Sequence, residues 1–281
     1  MRKIWAHTLV RNEEKWMWFS VMSVIDYVDR VLLWDMESED DTPKIANWIK
    51  SKYPDKVDFR KVPKVNSEGF SKVRQQMLDE TRSDWFLVVD GDEIWWDGSI
   101  GRLRKVIDSK AAQNKESIVV PIVNLVGDIF HYQEEAAGRY SLAGKRGHYA
   151  LRGINRNIPG LSSSKPHGTW GWTDKDGKMI QDRDLNKILF VDTPYLHATH
   201  LPRAGTLKYD KQVIKRSQKL KYEIGESFPR DYYYPEVLFR KKPDVVPTPW
   251  KVMKKAFYYQ ALFETPLRKL KRRLFKGRVG Y

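Results

Sequence analysis

Trp85-Phe86-Leu87-Val88-Val89-Asp90-Gly91-Asp92-Glu93 decides the fold. Five apolar residues without a break read as a strand buried on both faces, as the strands of a parallel sheet are. The run ends abruptly in three acids and one glycine. In open parallel sheets ligands bind beyond the carboxyl ends of the strands, so these acids stand where a site belongs. Asp90 and Asp92 are two carboxylates separated by a residue with no side chain. Hard divalent cations take carboxylate oxygens, and a cation held here could act as a Lewis acid. The plain alternative is a solvated Asp-Gly turn. The fully apolar strand before the acids, and Trp95-Trp96 behind them, favour a site.

Outward from this strand the chain alternates. Residues 3–10 predict a first strand. Arg11-Asn12-Glu13-Glu14 then leads to a helix whose apolar positions are Trp18, Val21, Met22 and Ile25. Residues 28–34 predict a second strand, followed by acids and a helix over 44–52, with Pro43 suited to its first turn. A short strand over 57–62 comes next, then a helix over 67–81 with Phe70, Val73, Met77 and Leu78 on one face. Alternation at this spacing implies βαβ units on a parallel sheet. Arg11-Asn12, Asp35 and Asp90 then share one edge of that sheet, as a nucleotide pocket requires.

Four motifs thus occur in order over residues 4–100. They are Val10-Arg11-Asn12-Glu13, the run from Asp35 through Ser38 and Asp40 to Thr42, Arg74-Gln75, and the apolar strand with Asp90-Gly91-Asp92-Glu93. Together they resemble the family 2 glycosyltransferases. The resemblance implies an α/β fold of the GT-A, Rossmann-like type, with a mostly parallel central sheet flanked by helices. It implies transfer of a sugar from a nucleoside-diphosphate sugar, a UDP-sugar being favoured, to an acceptor hydroxyl. Inversion, Mn2+ or Mg2+ as cofactor, and a place in cell-surface glycan or glycolipid assembly follow from the same resemblance. Carried over by position, Val10 and Asn12 line the base pocket, and Asp35 contacts the base or ribose. Arg74 faces the diphosphate, Asp90 meets ribose or metal, and Asp92 meets the metal. Met36 stands where many relatives carry an acid or Asn, and Gln75 where they carry Asn. Thr42 also suits a helix cap before Pro43, which is compatible with either role of this loop.

Downstream the pattern thins. Arg156 to His167-Gly168 is similar to a segment that ends in His-Glu in lipopolysaccharide-core-type relatives, with Gly168 in the Glu place. His197 and His200 follow the last predicted strand, and a downstream histidine often completes the metal site of such enzymes; His200 is the first choice. A general base must stand near the acceptor hydroxyl. Asp128, Glu134, Glu135, Asp174 and Asp176 are candidates, and the sequence does not choose among them.

The pattern places a glycosyltransferase domain at 1–205, with a nucleotide-sugar half (1–100) and an acceptor half (101–205). Residues 206–281 form a basic helical or irregular extension. Residues 207–224 predict one charged surface helix, and residues 250–275 a basic amphipathic stretch interrupted at Pro266. Net charge is +15 over 281 residues, and Arg268, Lys269, Lys271, Arg272, Arg273, Lys276 and Arg278 crowd the end. Basic charge mixed with Trp250, Phe257, Tyr258, Tyr259, Phe263 and Phe275 reads as a peripheral anchor to an anionic membrane. A saccharide or lipid-linked acceptor would suit that anchor. The alternative is an ordinary basic helix packed on the domain.

The chain has no cysteine, which excludes disulfides and thiolate chemistry. No signal segment is read at the start, and no apolar run approaches the roughly 20 residues of a membrane span. A cytoplasmic protein on the inner membrane face is expected. Three other readings compete with this one. A nucleic-acid-binding module would suit the charge, but no helix-turn-helix, RNP or zinc pattern is present, and nucleic acid is not expected as a partner. A nucleotidyltransferase would want a glycine-rich loop after the first strand, where Arg11-Asn12-Glu13-Glu14 stands. An inactive relative is left open by Met36 and Gly168.

Overall fold

The computed structural model describes residues 1–274. Phe275, Lys276 and Arg278 of the basic tail lie outside the described residues. The chain begins with β1 (Ile4–Val10), α1 (Met17–Val24), β2 (Arg30–Asp35), α2 (Thr42–Lys52), β3 (Val57–Lys61), α3 (Gly69–Glu80) and β4 (Trp85–Val88). It continues through β5 (Glu93–Trp95), α4 (Asp97–Asp108), β6 (Ser117–Val126) and β7 (Asp128–Tyr132). A hairpin of β8 (Tyr140–Leu142) and β9 (Lys145–Gly147) precedes β10 (Tyr149–Asn155), and a second hairpin joins β11 (Ser162–Ser164) to β12 (Gly171–Thr173). The last strands of the domain are β13 (Ile188–Phe190) and β14 (Tyr195–His197).

The path through the main sheet is β3-β2-β1-β4-β10-β6-β7. The first four strands are parallel, and β10 and β6 continue the sheet antiparallel. This is the α/β, GT-A arrangement that the motifs implied. Its parallel part follows from the sequence pattern: β4 is buried throughout, and β1 beside it and β2 beyond are nearly so. Such strands must be covered on both faces.

One cover is α1, all eight residues of which are buried. A helix apolar all round belongs inside a domain, and Ser20 and Ser23 bond to carbonyl oxygens of Asp90 and Ser20. The other face carries α3, whose Phe70, Val73 and Met77 pack with Leu9, Leu32 and Trp34.

Two elements differ from the sequence reading. The stretch expected as one surface helix is broken into α5 (Leu207–Lys211) and α6 (Arg216–Lys219). Lys215 between them is left-handed at φ 57°; Arg216 is buried against Arg11, Asn12 and Glu13, and Asp210, also buried, pairs with it. Buried ion pairing, absent from any local pattern, overrides the helical period. A two-residue strand, β15 (Glu226–Ser227), then pairs with β7. Finally α7 (Lys255–Leu274) continues through Pro266, where the sequence pattern predicted an interruption. Proline there removes one helical hydrogen bond. Pro266 and Leu262, which owns the freed carbonyl, are both exposed, so water can replace the bond. Val237, Leu238 and Val246 sit in the same core cluster as β1 and α1.

Candidate active site

The acids after β4 lie at the carboxyl edge of the sheet. Val89 donates to the His7 carbonyl at 3.1 Å, and Glu93 donates to the Asp90 carbonyl at 3.1 Å, closing the turn. The chain then enters β5, which pairs antiparallel with β14 so that His197 stands opposite Glu93. Ala198 donates to the Asp92 carbonyl at 2.9 Å. Long-range pairing therefore brings a histidine to the acid loop. Gly91 is required sterically: a Cβ there would lie 2.8 Å from Val10 Cγ1 and 3.0 Å from Glu13 Cγ. Val10 thus supports the loop from below.

Each acid faces a guanidinium. Asp90 Oδ1 accepts from Arg74 Nη2 at 2.8 Å, and Arg152 Nη2 is 3.5 Å from Oδ2. Arg74 is buried, its charge over the rings of Phe70 and Trp170 at 5.4 and 5.2 Å. Glu93 pairs with Arg152, whose Nε donates to Tyr195 Oη at 3.1 Å. Burial pushes the Glu93 carboxyl up to about 8 despite that guanidinium. Asp92 Oδ2 lies 2.7 Å from Arg203 Nη1 and 3.3 Å from His197 Nε2. Burial would raise the Asp92 carboxyl, but the charge of Arg203 outweighs it and holds the group well below the usual carboxylate range.

Behind these lies Glu13, 3.2 Å from Arg203 and paired with Arg216; burial raises it to about 7. Arg216 also donates to the carbonyls of Arg11 at 2.8 Å and Asn12 at 2.5 Å. Residues 206–219 are therefore part of the wall of this site.

The protonation of His197 is fixed by a chain of hydrogen bonds. The Glu134 carbonyl can only accept, so the proton on His148 sits on Nε2, 3.0 Å away. Burial lowers the His148 pKa, leaving a neutral ring whose Nδ1 accepts from the Asn124 amide at 2.9 Å. Asn124 Oδ1 then accepts from His197 Nδ1 at 3.2 Å. Burial also lowers the His197 pKa, so its Nε2 carries only a lone pair, aimed at Asp92.

That geometry fits a divalent ion. Asp92 is 1% exposed, and neither of its oxygens accepts a well-formed hydrogen bond. His197 has the second-sphere partner that metal-binding imidazoles usually have. Among the described residues no three carboxylates or imidazoles form a closed cage. An ion bound together with a nucleotide needs only one or two carboxylates, the rest being phosphate and water.

His200, the first choice from the sequence, is not the histidine beside Asp92. Its Nδ1 donates to the Lys219 carbonyl at 2.8 Å and its Nε2 accepts from Lys221 at 3.3 Å, so no lone pair is free. Asn12 does not present its side chain to a pocket either. Its Oδ1 accepts from Glu39 N at 2.8 Å and its Nδ2 donates to the Tyr209 carbonyl at 3.1 Å, in a left-handed backbone that asparagine tolerates. Asp35 is buried and holds the backbone N–H and hydroxyl of Ser38.

The five candidate bases are dispersed. Asp128 accepts from Phe130 N and Met253 N, both at 2.9 Å, and Asp174 accepts from the backbone of its own turn and from Arg183. Glu134 pairs with Arg272, while Glu135 and Asp176 are exposed. Arg152, Arg203 and Arg216 were missed. Arg152 left one trace, a lone cation inside the apolar strand β10; the other two left none.

Solved structures of similar shape include TarS of S. aureus, at 16% identity and TM-score 0.46 over 70% of this chain and 37% of that one. The mannosyltransferase PcManGT from Pyrobaculum calidifontis, in complex with GDP-Man and Mn2+, has 14% identity and TM-score 0.45 over 78% and 62%. Glucosyl-3-phosphoglycerate synthase from Mycobacterium tuberculosis, in complex with Mn2+ and UDP-Glc, has 18% identity and TM-score 0.43 over 70% and 71%. The chain spans well under half the length of TarS. No curated protein matches the sequence. The family model described as glycosyl transferase family 2 matches residues 7–156, from β1 to the end of β10. That match takes in more than half of the chain, with most of β1, all of β2, β3 and β4, and the acid loop, and the protein belongs to glycosyl transferase family 2.

Proposed function

We propose that the protein moves a sugar from a nucleoside-diphosphate sugar, a UDP-sugar being favoured, to a hydroxyl of a saccharide or lipid-linked acceptor, with inversion. The reading extends to Mn2+ or Mg2+ held by Asp92 and His197 beside Asp90, and to glycan or glycolipid assembly at a cytoplasmic membrane face. The observation that carries it is the pairing of Asp92 Oδ2 with His197 Nε2, 3.3 Å apart at the carboxyl edge of the parallel sheet, beside the Arg203 guanidinium. When bound, the ion neutralises the leaving diphosphate. Arg74 and Arg152 hold Asp90 in place and add positive charge beside it. Arg203 keeps Asp92 ionised, and Asn124 keeps the His197 nitrogen unprotonated toward the ion.

A thermal-shift panel of UDP-, GDP-, CMP- and dTDP-sugars, with and without Mn2+, tests this. Stabilisation by a UDP-sugar that requires Mn2+ is expected. No shift with any donor, or the same shift in EDTA, would overturn it.

A further inference from the structure

The helix α7 is 20 residues long, about 30 Å at 1.5 Å per residue. One face of it packs on the domain. Phe257 lies against Tyr222 with ring centroids 5.1 Å apart, and Ala261 is fully buried. Thr265 Oγ1 accepts from Ile224 N at 3.1 Å, and Arg272 pairs with Glu134 and Glu223. These positions recur at helical spacing. Half a turn away, Tyr259, Phe263, Leu267, Leu270 and Leu274 form a second row, between 54% and 78% exposed. At 100° per residue that row points directly away from the domain. Apolar residues scattered singly need no explanation, but a continuous apolar row on an outer face marks an interaction surface.

Charge selects the partner. Lys255 and Arg273 flank the row on one side and Lys271 on the other, Lys269 reaches back to Glu134 at 3.6 Å, and Glu264 is the only acid in the helix. A second copy would bring the same cations against these, on a chain already at +15. An anionic bilayer complements both features: the apolar row enters the acyl boundary, and the flanking cations stay at the headgroups. Among the described residues no helix is long and apolar enough to cross a membrane. We infer that α7 lies flat in an anionic membrane surface, with Tyr259, Phe263, Leu267, Leu270 and Leu274 buried in the lipid. This deepens the reading of a membrane-side glycosyltransferase, yet it stands on the helix alone and is measured apart from sugar transfer.

The test is cosedimentation of the whole chain with phosphatidylcholine vesicles, with and without phosphatidylglycerol, across a salt series. The full chain is expected to bind only the phosphatidylglycerol vesicles and to be released by salt. The triple variant Phe263→Ser, Leu267→Ser, Leu270→Ser changes only outward side chains. It should bind those vesicles more than about tenfold more weakly, with an unchanged melting temperature and donor-induced shift. Equal vesicle binding by the two proteins, or none by the full chain, would overturn the inference. So would a dimer in solution that the triple variant dissolves, since the row would then belong to a second copy. Loss of donor binding with intact vesicle binding would strike the sugar-transfer reading and leave this one standing.

Discussion

His197 Nε2 faces Asp92 Oδ2 at 3.3 Å, and the hydrogen bonds running back through Asn124 and His148 leave no proton between them. Two acceptors so placed repel unless a cation joins them. Arg203, 2.7 Å from the same carboxylate, keeps Asp92 ionised for that cation. Replacing Asp92 by Asn keeps the shape and removes the charge. Asp92→Asn is expected to abolish turnover and Mn2+-dependent donor binding while the circular dichroism spectrum stays native. Wild-type turnover by this variant would remove the acid loop from the mechanism.

A second expectation concerns residues that touch no ligand. His148→Phe deletes the acceptor that orients the Asn124 amide, and the amide can then turn its N–H2 toward His197. His197 would flip its proton to Nε2, the wrong nitrogen for an ion. Loss of such outer partners typically weakens metal binding about 10–100-fold. Titration of Mn2+ followed by electron paramagnetic resonance reads this directly. An unchanged Mn2+ affinity, with only a lower melting temperature, would reduce the relay to packing.

How much of this was legible in the sequence differs by element. The strand Trp85–Val88 and its acids were legible because an unbroken apolar run has few other uses. The family motifs marked the same edge. The choice between His197 and His200 was not legible, because it depends on β14 pairing with β5 in the register that sets His197 opposite Glu93. A strand three residues long carries no such information by itself. Arg216 was hidden for a related reason. Its partners, Glu13 and the carbonyls of Arg11 and Asn12, lie some 200 residues earlier, as the separations of 203–205 show.

Asp35 tests whether a loop brace also reads the nucleoside. Its carboxylate already holds Ser38, so Asp35→Ala should lower the melting temperature whatever its other role. If it also contacts base or ribose, donor affinity falls by about 1.5–3 kcal/mol, the value of a hydrogen bond to a charged group. Calorimetric titration with the donor separates the two. Unchanged affinity would leave Asp35 purely structural.

Gly91→Ala probes the acid loop from its backbone. The added carbon would stand 2.8 Å from Val10 Cγ1 and 3.0 Å from Glu13 Cγ. Val10 is buried and β-branched, so it has little room to turn, and the loop must move instead. Overpacking of this kind costs typically about 1–3 kcal/mol. A lower denaturation midpoint together with weaker Mn2+ binding is expected. A variant as stable and as tight as the parent would show that the loop has slack.

The docking of α7 should be pH-dependent through Glu223. Burial alone would raise its carboxyl, but the hydrogen bonds and charge of Arg272 outweigh burial and hold it below its ordinary value of 4.5. A depressed carboxyl favours the docked state wherever it is ionised there. The contribution is therefore fully present above 4.5, the value in the undocked chain, and is lost as pH falls through the lower docked value. Arg272 stays charged throughout, so protonation leaves a buried cation short of a partner. Hydrogen exchange of α7, corrected for intrinsic rates, should show constant protection at neutral pH and a decline below 4.5. Glu223→Gln should loosen the helix at neutral pH and flatten the profile. Protection that falls equally with pH in the parent and in Glu223→Gln would assign the decline to groups other than Glu223.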